Sequence, residues 1–144
     1  MVDRHRGFTL LELLVLLGLF GVLAGAASVY VSPMVRGLEV RTGAVRVASA
    51  LTRARVAALA DGRPWSVRVV GPSTLEIGEE GAPAQRTELP SRVRFLSVTS
   101  GGDVRFRPNG WAENATFTIG SEDEVRRVVV NQRGRISVRS GAGS

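Results

Sequence analysis

The chain contains no cysteine and no lysine, and its one histidine, His5, lies at the N-terminus. Without cysteine there is no disulfide framework, no thiol nucleophile and no zinc–thiolate site. Beyond His5 no imidazole remains, so the usual nucleophile–base pairs lack a base. No glycine-rich phosphate-cradling motif is present. Glu79-Glu80 and Glu122-Asp123-Glu124 are acidic clusters in turn-rich stretches. They read as solvated loops rather than as acid–base pairs or Ca²⁺ ligands. These absences point away from an enzyme, with no cofactor and no metal expected. Length allows one membrane-length helix and one further domain of about 100 residues, large enough for a single core.

All 19 basic residues are arginine, against 13 acidic ones, for a formal charge of +6. That balance is compatible with nucleic acid, anionic lipid or an acidic protein as partner, and selects none of them.

Between Phe8 and Val31 the only charged residue is Glu12. As a helix this stretch is roughly 36 Å long, enough to cross a bilayer core of about 30 Å with some tilt. Arg4, His5 and Arg6 precede it, which favours a cytoplasmic N-terminus and places the rest of the chain across the membrane. Three readings fit this stretch. One is a secretory signal with a small-residue site at Ala24-Gly25-Ala26, and another is a plain signal anchor. A carboxylate inside an apolar segment is costly unless it finds a partner, and Glu12 benefits neither of these.

The third reading rests on Arg6-Gly7-Phe8-Thr9-Leu10-Leu11-Glu12-Leu13-Leu14, which resembles the class III signal of type IV pilins and type II secretion pseudopilins. The resemblance implies cleavage between Gly7 and Phe8 by a prepilin peptidase and N-methylation of Phe8. It also implies pairing of Glu12 with the free amino terminus of a neighbouring subunit. Cleavage there would remove Asp3, Arg4 and Arg6 and lower the formal charge from +6 to +5.

After Val31, Ser32-Pro33 is a kink signal, but helical period resumes. Val40, Ala44, Val47, Leu51, Ala54 and Ala58 recur every three or four residues and form one stripe. Arg41, Arg46, Arg53, Glu39 and Ser49 lie off it. The small residues in the stripe would allow a sheet to approach closely. Leu38, Val45 and Val56 form a weaker apolar line on the other face, open to the chain's own domain or to a neighbouring subunit's helix. Asp61-Gly62-Arg63-Pro64 carries the stop signal.

From Trp65 the period becomes two. Strands are expected at 65–70, 74–77, 92–98, 104–107, 115–119, 125–131 and 136–139, with a loop over Gly78–Pro90 and a tight turn at Gln132-Arg133-Gly134. The expected fold is α+β. A long N-terminal helix, hydrophobic in its first half and amphipathic in its second, packs on a C-terminal antiparallel β-sheet or small β-sandwich. The divisions are a leader over 1–7, an apolar helix over 8–31, its amphipathic continuation over 32–62 and a β-rich domain over 63–144. The last few residues should fray.

Phe106-Arg107-Pro108-Asn109-Gly110, Phe117-Thr118-Ile119 and Val128 to Ile136 with its Gly134-Arg135 turn resemble the GspH/FimT-type minor pseudopilins. The resemblance implies a subunit of a type II secretion pseudopilus or type IV pilus. Its partners would be the prepilin peptidase, other pilin or pseudopilin subunits and the inner membrane, which it would cross once with the C-terminal domain periplasmic. One departure is that Pro33, near the end of the apolar run, is the only candidate for the proline that major pilins carry within it. Arg126, Arg127, Arg133, Arg135 and Arg139 crowd the last two strands. Some FimT-type pilins bind DNA in natural transformation through a Gly-Arg-rich C-terminal stretch. This cluster is therefore a candidate DNA or polyanion surface, contacting phosphates without reading sequence, and Trp111 is a candidate stacking residue. A solvated polar face is the simpler alternative.

Overall fold

The structure is a computed structural model that describes residues 9–79, 82, 84–122 and 124–141, with side chains between 27 and 36 excepted. Residues up to Val35 and those from Arg36 onward form two compact units. One helix, α1, runs from Leu10 to Asp61 and so contributes to both.

In the first unit α1 begins on a cap. The Thr9 hydroxyl accepts the Glu12 N–H at 3.2 Å and the Thr9 carbonyl accepts the Leu13 N–H. Thr9 and Glu12 thus stand at the Ser/Thr and Glu positions of a capping box. The helix continues through Ser32 and Pro33. Among the described residues no helix is long and apolar enough to cross a membrane. The Val31 boundary expected from sequence lies among the side chains outside the described residues.

In the second unit the helix buries all six residues of the expected stripe, together with Ala50. It stops at Gly62, whose φ of 65° is the left-handed cap that favours glycine. Eight strands follow: β1 Trp65–Val69, β2 Thr74–Glu79, β3 Gln85–Glu88, β4 Arg94–Val98, β5 Asp103–Phe106, β6 Ala115–Gly120, β7 Val125–Val130 and β8 Ile136–Ser140. They make two four-stranded sheets, ordered β3-β2-β1-β5 and β4-β6-β7-β8, antiparallel throughout.

Apolar residues of both sheets and the helix stripe share one core. Val67, Leu75, Ile77, Val104 and Phe106 enter it from the first sheet, and Ala115, Phe117, Ile119, Val128 and Val130 from the second. The helix lies close because Gly43 has no side chain: a Cβ there would stand 3.0 Å from Val93 Cγ1 and 3.4 Å from Ile119 Cδ1.

β3 corrects the sequence expectation of a loop over 78–90. Gln85-Arg86-Thr87-Glu88 has no apolar alternation to reveal it. Its strand form comes from pairing with β2, Glu76 opposite Arg86 and Leu75 opposite Thr87. Arg53 of the helix also holds it, donating to Gln85 Oε1 at 3.4 Å and Thr87 Oγ1 at 3.3 Å. The other boundaries differ by a few residues, and β4 carries a register shift between Phe95 and Ser97.

Candidate functional site

Two regions carry the residues singled out from sequence. The first is the start of α1. Gly7 and Phe8 lie outside the described residues. Glu12 is exposed in the first turn, where a carboxylate also complements the positive end of the helix dipole. Around it the apolar side chains are exposed: Leu10 is 78% accessible and Leu11 73%, and Leu13 and Leu14 remain more than half accessible. Thr9, which caps this turn, was missed from sequence. Its Thr-x-x-Glu spacing is a helix-start signal that the apolar run overshadowed.

The second region is the outward face of the second sheet. Arg127 of β7 stands opposite Arg139 of β8, and on its other side opposite Thr118 of β6, which pairs with Ser97 of β4. Arg127 and Arg139 are exposed, whereas Val128, next to Arg127, is buried. Neither has a carboxylate partner among the described residues. Like charges directly opposite on a sheet repel.

The five expected arginines do not form one group. Arg126 points to the other side of β7 and is half-buried. It donates to Glu124 Oε1 from Nη2 at 2.8 Å and from Nε at 3.0 Å, and to Ser140 Oγ at 3.1 Å. Its charge is therefore compensated.

Arg133 and Arg135 belong to the turn before β8. Their backbone N–H groups both donate to Asn131 Oδ1, at 3.1 and 2.8 Å, and the Gly134 N–H donates to the Asn131 carbonyl. Gly134 has a φ of 70°, and a Cβ there would stand 2.9 Å from Arg55 Nε and against the Gly110 carbonyl. The Gly-Arg turn is thus shaped by its seat on the helix, which leaves both arginine side chains exposed. By strand alternation Arg135, Ser137 and Arg139 share the outward side. Trp111 is 54% accessible, outside the core.

The first sheet treats its charges differently. Arg86, Glu76, Arg68 and Asp103 form a row across β3, β2, β1 and β5. Arg86 pairs with Glu76 at 2.9 Å and Arg68 with Asp103 at 3.3 Å. The acidic turns follow the same pattern, with Glu79 held by Arg63 at 2.9 Å and Glu124 by Arg126. Glu80 and Asp123 lie outside the described residues.

A hydrophobic N-terminal helix continued into a domain of antiparallel sheets is the architecture of a pilin-type structural subunit. The sequence agrees. Residues 3–28 match the prokaryotic N-terminal methylation motif, and residues 43–134, more than half of the chain, match the type II transport protein GspH family. The chain belongs to the GspH family. Among solved structures it is similar to the type IV minor pilin FimU of Pseudomonas aeruginosa, with a TM-score of 0.63 and 22% identity over 74% of this chain and 92% of that one. It is also similar to the minor pseudopilin EpsH from the type 2 secretion system of Vibrio cholerae, with a TM-score of 0.60 and 18% identity over 71% of this chain and 97% of that one. No curated protein matches the chain significantly.

Proposed function

We propose that this chain is a minor subunit of a type II secretion pseudopilus or type IV pilus, matured by a prepilin peptidase between Gly7 and Phe8. Phe8 becomes the N-methylated first residue. The apolar run holds the subunit in the inner membrane with the β domain on the periplasmic side, and later packs among other subunits. Glu12 is then neutralised by a neighbour's amino terminus. The observation that carries this reading is Glu12 itself, an exposed carboxylate among exposed leucines inside the methylation motif. A filament of like helices supplies both the apolar cover and the cation.

Intact mass and N-terminal analysis of the protein from membranes of its native host test it. A chain starting at N-methylated Phe8 is expected, with Gly7→Val accumulating as unprocessed precursor. A start at Met1, or after Ala26, would refute the filament mechanism.

A second reading, a DNA receptor in natural transformation, draws support from the uncompensated Arg127 and Arg139 and from the exposed Arg135 before the other end of β8. Affinity for duplex DNA should then fall with salt, and Arg127→Gln with Arg139→Gln should reduce the slope of that dependence by about 2. An unchanged slope removes these residues from any DNA surface.

A further inference from the structure

Each sheet has two edge strands, β3 and β5 in the first and β4 and β8 in the second, and the chain itself closes all but β8. The Glu88 carbonyl of β3 accepts from Arg46, and Arg53 holds its Gln85 and Thr87 side chains. β4 carries its register shift, and its Phe95 N–H donates to the Pro72 carbonyl at 2.7 Å. β5 is bridged through Phe106 to Ala112, and its Asp103 carbonyl accepts from the Ser100 hydroxyl. Cover of this kind keeps natural sheet edges from pairing with other chains.

The open side of β8 is fixed by the bonds at its ends. The Asn131 N–H donates to the Arg135 carbonyl at 3.1 Å, and the Gly141 N–H to the Val125 carbonyl at 2.9 Å. Odd-numbered residues therefore bond to β7, and Ile136, Val138 and Ser140 turn their N–H and carbonyl groups outward. Among the described residues these backbone groups meet no partner. The strand holds no proline, and its register with β7 is unbroken.

The side chains define what an added strand must carry. On the inward side Ile136 packs against the core, and Val138, opposite the fully buried Val128, is still 45% accessible. An apolar residue laid opposite Val138 would extend the core over it. On the outward side Arg135 and Arg139 are exposed, and Arg139 faces Arg127 across the ladder. None of the three has a carboxylate partner among the described residues, so an acidic residue there supplies the missing sign. A second copy of β8 paired antiparallel would instead add its own Arg135 and Arg139 to the same face.

We propose that the edge of β8 docks an extended segment of another protein as an added strand, one in which apolar residues alternate with acidic ones. The backbone groups of Ile136, Val138 and Ser140 supply the adhesion, and the alternation of the segment's side chains selects it. This docking does not require the filament reading above.

The test is site-resolved amide hydrogen exchange of the full chain in detergent micelles. The probes are a synthetic peptide of alternating valine and glutamate, one of alternating valine and lysine, and duplex DNA. Without a probe the Ile136, Val138 and Ser140 amides should exchange fast, and those of Ser137 and Arg139 slowly. The valine–glutamate peptide at about 1 mM should slow the first three about tenfold, as for a Kd of about 0.1 mM, and leave β3, β4 and β5 unchanged. Val138→Pro removes only an outward N–H, which an edge strand tolerates, and should abolish the effect. Arg127→Glu with Arg139→Glu should transfer the effect to the valine–lysine peptide, and this pair decides the matter if the proline variant fails to fold. The proposal is overturned if the three amides are already protected without peptide, by the chain or by a second copy. It is also overturned if the valine–glutamate peptide protects none of them, if the valine–lysine peptide protects them equally, or if DNA gives the same alternating pattern.

Discussion

The two sheets are built alike on the inside and differently on the outside. Each sends a phenylalanine into the shared core, Phe106 from the edge strand of the first and Phe117 from an inner strand of the second, both fully buried. Outward, the first sheet carries Arg86, Glu76, Arg68 and Asp103 in one row with alternating sign and two ion pairs. The corresponding row of the second sheet is Ser97, Thr118, Arg127 and Arg139, in which the charges have one sign and stand side by side. Cross-strand pairs contribute or cost only about 0.2–1 kcal/mol each, so the core can carry the unfavourable row. Binding an anion would relieve the repulsion on the second face, whereas on the first it would have to displace an existing partner.

The largest expected effect tests the likeness of the inner faces. Phe106→Ala and Phe117→Ala should each lower the unfolding free energy by about 3–5 kcal/mol, the range for a buried aromatic truncated to alanine. Denaturant titration compares them, and a gap of more than about 2 kcal/mol between the two would show that one sheet holds the core alone.

The next effect concerns the turn that presents Arg133 and Arg135. Gly134→Ala combines a left-handed backbone with a Cβ close to Arg55 and should cost roughly 2 kcal/mol. Gly62→Ala has the same sign of φ but open space around it, and should cost about 1 kcal/mol. Equal losses would mean that the seat of the turn on the helix contributes nothing.

Charge reversal on the outer faces is smaller in effect and should change sign between the sheets. Arg68→Glu places a third acid between Glu76 and Asp103 and should destabilise by about 1 kcal/mol, while Arg127→Glu creates an opposite-charge pair with Arg139 and should stabilise by about 0.5 kcal/mol. Thermal melts at low ionic strength read the sign. The same sign in both sheets would abolish the distinction drawn between their faces.

The smallest effect is the salt dependence of that difference. Both variants act through exposed charges, so the gap between them should shrink as ionic strength rises to about 1 M and the screening length falls to about 3 Å. A salt-independent gap would point to packing rather than charge.

Much of this architecture was legible because it rests on local pattern. The stripe from Val40 to Ala58 announced the helix face that is buried, and Asp61-Gly62-Arg63-Pro64 announced its end. Six of the seven expected strands begin within one residue of where they stand, and the remaining one begins two residues late. β3 was not legible, since nothing in Gln85-Arg86-Thr87-Glu88 alternates. The candidate site was legible in composition but not in grouping. A run of arginines looks uniform in a sequence, yet Arg126 is neutralised by Glu124 two residues away while Arg127 is left facing Arg139.

By itself the sequence determined the methylation motif with Glu12, the long helix and its buried stripe, and the change to a β domain at Trp65. These depend on spacing within one segment and on the cost of burying polar groups. Only the tertiary structure decided the strand order, the existence of β3, the sorting of the arginines and the exposure of the line through Leu38, Val45 and Val56. Those outcomes depend on which distant segment lies opposite, and the register that sets a neighbour across a sheet is not written in either strand alone.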